Sequence, residues 1–179
     1  MLTRPEVVPE SYRLRTGAFS HSLSTFIVWL GLNTDVTKIE SRAEVNLYSG
    51  YDAEAGYAAA LAGDPDKTGV ACMLYDNLAP GFSPQGRSTI SIMFLCGYEP
   101  WRRFEKDYDA GRKDEYRREK NRVADQLIAQ VEKRLIPGLS GMIDMREAST
   151  PLTNRRFTGN TSGAIYGFDQ TTDNTFMNR

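Results

Sequence analysis

Two strand-forming runs, 68–75 and 87–96, follow each other with only a turn-rich linker between them. Val70, Cys72 and Leu74 share one parity in the first run; Ile90, Ile92, Phe94 and Cys96 share one in the second. Alternation of period two marks strands with one apolar face. Strands joined without a helix pair antiparallel, because a parallel partner requires a crossover connection, usually helical. The pair therefore disfavours a doubly wound parallel sheet and favours an α+β fold. The linker 76–86 contains Pro80-Gly81 and Pro84-Gln85-Gly86 and is long for a hairpin loop. It reads either as a solvated tip or as a functional loop.

Further strands extend this pair. In 24–32, Thr25, Ile27 and Trp29 alternate with Phe26, Val28 and Leu30, so both parities suit a strand covered on both faces. The cover on the second face would be helices or another domain, or a substrate. Val45 and Leu47 mark a half-exposed strand over 43–48, and 142–148 reads as another. A short apolar strand is expected around Ile165, between Gly163 and Gly167. The expectation is a mostly antiparallel or mixed sheet of about five or six strands, with helices packed on one face.

The strongest helix signal spans 113–135, where Tyr116, Val123, Leu127, Ile128, Val131 and Leu135 form one stripe. Its mixed charges read as a solvated face. The alanine-rich run 52–61 predicts a short helix stopped by Gly63-Asp64-Pro65-Asp66. The segment 33–41 reads as a polar connection with a helical turn, and 107–111 as a polar break. Residues 1–23 read as a lead-in loop with a short turn of helix at 9–13, and 171–179 as a loose tail. At 179 residues the whole, 1–179, suits a single domain.

Chemistry-bearing patterns are scarce. With 22 basic and 23 acidic residues the net charge is −1, so no global field recruits nucleic acid. Cys72, Cys96 and the single His21 supply no metal-ligand or redox spacing. The two cysteines read as buried reduced thiols of a cytoplasmic protein. No apolar run reaches membrane-spanning length, and the first residues lack the pattern of a signal peptide. Trp101 and Phe104, with Arg102, Arg103 and Lys106, read as a membrane-surface foot or as aromatic anchors onto the sheet. The second is favoured, because one turn is short for insertion. His21 has no evident Ser or Cys partner, and Asp144 and Glu147 fall on opposite faces of their strand. Gly159, Gly163 and Gly167 have the wrong spacing for a phosphate loop. The sequence holds no self-sufficient active site.

The stretch 148–167 remains. Thr150 before Pro151 reads as an N-cap with proline at the first helical position, and Gly159 as the stop of that short helix. Three runs stand out here: Thr150-Pro151-Leu152-Thr153-Asn154, Arg156-Phe157-Thr158-Gly159-Asn160 and Gly163-Ala164-Ile165-Tyr166-Gly167. Upstream lie Phe26 to Leu32, Cys96-Gly97-Tyr98-Glu99-Pro100-Trp101 and Leu135-Ile136-Pro137-Gly138-Leu139. In this order they resemble FAD-dependent oxidoreductases of the phytoene desaturase, carotenoid isomerase and retinol saturase family. The glycine-rich FAD-binding segments of that family are not in this sequence.

The resemblance implies the substrate domain of such a flavoprotein, acting on carbon–carbon double bonds of carotenoid- or retinoid-like polyenes and inactive as an isolated fragment. It implies FAD in the full-length parent and none expected in this chain alone. Thr150, Pro151, Asn154, Gly163 and Tyr166 would face flavin or substrate. Trp29 and Phe94, on strands that serve equally as core, would wall an apolar polyene or isoprenoid slot. The implied partners are that substrate and the FAD-binding domain of the same parent. Peripheral membrane contact and a homo-oligomer stay open. The alternative is a non-catalytic lipid- or protein-binding module.

Overall fold

The computed structural model describes residues 7–172 and 174. Five strands, β1 (Ser24–Leu32), β2 (Glu44–Leu47), β3 (Val70–Leu74), β4 (Ser88–Cys96) and β5 (Ile143–Ser149), form one sheet in the order β2-β3-β4-β1-β5. Every neighbouring pair is antiparallel. The helices are α1 (Glu10–Gly17), α2 (Ala53–Ala62), α3 (Tyr75–Leu78), α4 (Glu99–Arg102), α5 (Glu105–Asp109), α6 (Asp114–Arg134) and α7 (Pro151–Thr158). The fold is α+β. One expectation changes here: a single helical turn, α3, occupies the end of the 68–75 run and the start of the linker, yet it is too short for a crossover and β3 and β4 still pair antiparallel.

Strand parity decides what is buried. Phe26, Val28, Leu30 and Leu32 of β1 point to the same side as Ile90, Ile92, Phe94 and Cys96 of β4 and Val70, Cys72 and Leu74 of β3. On this inner face α6 lies against β1, β4 and β5 and contributes Val123, Leu127, Ile128 and Val131. Lys120 Nζ meets Glu147 Oε1 at 3.0 Å, and Arg146 pairs with Asp125, so both ion pairs tie α6 to β5. Trp101 is buried 5.6 Å from the Phe26 ring and 6.0 Å from Tyr116, and its Nε1 donates to Cys96 Sγ at 3.3 Å. It anchors onto the sheet, so the membrane-foot reading of Trp101 and Phe104 loses its leading aromatic.

The outer face corrects the expectation that β1 is covered on both sides. Trp29 is 37 % exposed, Ile27 is half-buried, and Met145 on β5 is 66 % exposed. The register lines up Ala71, Met93 and Ile27 in one row and Met73, Ser91 and Trp29 in the next. Apolar residues of both parities are compatible with an uncovered face, and here that face is only partly covered.

Three other expectations change. The lead-in contains a two-turn helix, α1, that buries no side chain and so carried no apolar stripe to read. The 107–111 break falls within and just after α5, whose Tyr108 is buried 4.8 Å from the Tyr116 ring. The strand around Ile165 does not form. Ser162 and Gly163 take φ of 55° and 59° and Gly167 takes 79°, steps that a strand cannot contain. A turn over Thr161–Gly163 precedes a single bridge between His21 and Phe168. Most of the tail read from 171 onward lies outside the described residues. Asn174 Nδ2 donates to Ser20 Oγ at 2.9 Å and holds the tail's beginning against the lead-in.

Candidate functional site

Most of the 148–167 stretch, as far as Gly163, is built inward. Thr150 is fully buried; its hydroxyl caps α7 through Thr153 N, while the Thr153 hydroxyl accepts from Thr150 N at 3.2 Å. The Tyr116 hydroxyl lies 3.2 Å from Thr150 Oγ1 and 3.1 Å from Thr153 Oγ1. Asn154 Nδ2 is within 3.1 Å of Ser24 Oγ, Thr25 O and Thr25 Oγ1. Ser24 Oγ donates to Gly163 O at 2.6 Å. A Cβ on Gly163 would lie 2.3 Å from Pro151 O, and its φ of 59° also excludes most side chains. Thr150, Pro151, Asn154 and Gly163 thus lock α7 to the start of β1.

A flavin's pyrophosphate requires free N–H groups at a helix start. At α7 the first position is Pro151, which has none, and Thr153 N is taken by the cap. This turn does not fit the group. Among the described residues no cluster of three or more His, Cys, Asp or Glu could hold a metal ion.

Tyr166 has a different setting. It is 78 % exposed and stands at the edge of a cleft of about 740 Å³ on the outer side of the sheet. Asn46, Ala71, Met93 and Leu95 contribute from the strands, and Ala53, Gly56, Tyr57 and Ala60 from α2. Asp52 holds the start of that helix, accepting from Ala55 N at 3.0 Å, and Gly63 ends it at a φ of 67°. The far end of α2 is pressed onto β4. Gly97 N donates to Ala60 O at 2.8 Å, and a Cβ on Gly97 would fall 2.1 Å from Leu61 O. This close approach fixes α2 at the border of the open face and so shapes the cleft.

Tyr48, Tyr51, Tyr57 and Tyr166 all border the cleft and all are exposed. Tyr57 Oη donates to Asp169 Oδ2 at 3.4 Å, linking α2 to the segment that carries Tyr166. Burial, and then the Asp169 charge, raise the Tyr57 pKa, so its hydroxyl remains a donor through the neutral range. The other polar neighbours are already engaged: Lys67 with Asp64 at 3.4 Å, and the Ser49 hydroxyl with the carbonyls of Asp66 and Thr68. Such a cleft can hold an apolar body and offer phenolic hydroxyls to a polar end. It presents no base paired with a nucleophile.

Of the two candidate slot walls, Phe94 is buried, its ring 5.8 Å from Phe26, and it also borders the cleft. Trp29 lies on the opposite face of the sheet from the Phe94 side chain, so one slot does not receive both rings. The sequence reading missed Tyr48, Tyr51, Tyr57, Gly56 and Leu95. A glycine amid alanines in α2 was the available signal.

Half of this chain is similar to prolycopene isomerases. Prolycopene isomerase 2, chloroplastic, of an Oncidium hybrid cultivar is 34 % identical over 90 residues, which is 50 % of this chain and 14 % of that protein. The Daucus carota protein is 34 % identical over 91 residues, 50 % of this chain and 13 % of its own length. The Arabidopsis thaliana protein is 35 % identical over 91 residues, with 50 % and 14 % covered. The alignments thus span about one seventh of these relatives. No family model matches the chain.

Proposed function

We propose that this chain is the substrate-binding part of an FAD-dependent oxidoreductase acting on double bonds of carotenoid- or retinoid-like polyenes. The observation that carries the reading is the cleft, with its apolar floor and four bordering tyrosines, on the open side of a sheet in a chain similar to prolycopene isomerases. A polyene fits because a stiff conjugated chain loses little freedom on binding and gains apolar and aromatic contact. On this reading the flavin is held by another part of the parent protein, which meets the open face around Ile27, Trp29 and Met145. This chain alone is then without redox activity.

The test is titration of the full chain with a carotenoid delivered from cyclodextrin, read by quenching of tryptophan fluorescence. Saturable binding is expected, weakened at least tenfold by Leu95→Arg, which places an unpaired charge in the cleft. Failure of the wild-type chain to bind, or unchanged binding by the variant, would overturn the assignment. The exposed face beside the cleft favours a second reading, a non-catalytic lipid- or protein-binding module. Equal affinity for a saturated C40 chain would support that module over a polyene site.

A further inference from the structure

Gly56 lies within α2, where positions 53, 55, 58, 59, 60 and 62 are all alanine. Glycine inside a helix is less stable than alanine, because it loses more backbone freedom on folding. No requirement of this chain's own packing explains it. Gly56 is not among the glycines of positive φ, and a Cβ added there would meet no atom within 4 Å. Gly97 and Gly163 are the contrast, since a Cβ on either would collide with backbone. The unfilled space beside Gly56 belongs to the cleft, which Gly56 borders between Ala53 and Ala60.

We infer that Gly56 is the specificity-determining position of the cleft, selecting a thin, flat hydrocarbon that lies directly on the backbone of α2. The inference rests on the polyene reading and deepens it. Without a Cβ the helix surface recedes by about 1.5 Å, the length of one carbon–carbon bond. A planar conjugated chain can occupy that furrow edge-on or face-on, with Tyr57 beside it and Leu95 on the sheet. A ligand with bulky branching cannot approach as closely. The local loss of helix stability is thereby offset by contact with the ligand, not by contact within the protein.

The experiment uses the full chain, its Gly56→Ala and Gly56→Leu variants, and all-trans-retinol as the probe, with melting and binding measured on the same samples. Gly56→Ala is expected to raise the melting temperature by about 2–4 °C, yet to weaken retinol binding about three- to tenfold. Gly56→Leu is expected to abolish binding while the circular dichroism of the fold is kept. Opposite signs in stability and affinity are the signature, because a purely structural glycine moves both downward or neither. Wild-type binding with equal affinity in both variants would overturn the assignment of Gly56 and leave the polyene reading standing. A lower melting temperature for Gly56→Ala would likewise overturn it, by revealing an internal role. No binding by the wild-type chain would overturn the polyene reading and this inference together.

Discussion

The two faces of the sheet have similar residues and different fates. On the inner face, Phe26, Ile92 and Phe94 are sealed under α6 with Trp101. On the outer face, Ile27, Met93 and Leu95 are as apolar, yet remain half-buried or exposed. Burial against a helix converts apolar area into stability at roughly 25 cal/mol per Å². An uncovered apolar face gains little of this and is kept available for something else. Side-chain polarity therefore reports which strands are central, and geometry alone reports which face is closed.

The most forceful way to break this contrast is a matched pair of truncations. Phe94→Ala is expected to lower unfolding free energy by about 3–5 kcal/mol, through lost transfer energy and the cavity left in a closed core. Trp29→Ala on the outer face is expected to cost less than about 1 kcal/mol, because solvent already reaches the ring. Urea unfolding of both variants measures the difference, and equal losses would mean that the outer face is as closed as the inner.

A second, smaller difference is chemical. Burial pushes the Cys72 and Cys96 thiols of the inner face up to about 12 from an ordinary value of 9.0. The native state then holds protons that the unfolded state releases above pH 9. Stability is complete below that pH and falls as the pH rises toward 12, by on the order of 1–2 kcal/mol per thiol at pH 10.5. Urea midpoints between pH 8 and 10.5 should decline, and a Cys72→Ala, Cys96→Ala chain should decline less steeply. Identical slopes would place the cause in other groups.

The smallest effect on stability is expected where the effect on association is clearest. Trp29→Ser with Met145→Ser should change unfolding free energy by no more than about 1 kcal/mol. The same pair should reduce any concentration-dependent increase in mass seen by light scattering. A wild-type chain that is monomeric at all concentrations would show that this face does not self-associate.

The sequence made much of the architecture readable. Strict alternation in Val70-Cys72-Leu74 and Ile90-Ile92-Phe94-Cys96 located β3 and β4 and their antiparallel pairing. The stripe Val123, Leu127, Ile128, Val131 located α6, and Thr150-Pro151 with Gly159 located both ends of α7. What escaped had no periodic signature. α1 buries nothing, Tyr108 is the lone buried residue of α5, and the path after Thr161 turns on three dihedral angles. The cleft was hardest to see, because it collects residues from 46 to 166 that are brought together by sheet pairing, by α2 packed on Gly97 and by the segment that carries Tyr166. Of the candidate site residues named from sequence, Tyr166 and Phe94 border it.

The place of β1 in the sheet also has a temporal consequence. The strand at 24–32 is made before either of its partners, which are 88–96 on one side and 143–149 on the other. Until some 120 further residues have been made, at least one edge of this highly apolar segment has nothing to bond to. Pairings so distant along the chain close slowly and leave edges open to wrong neighbours. Nascent chains halted before residue 143 should therefore engage holdase chaperones through β1, and release should coincide with the synthesis of β5.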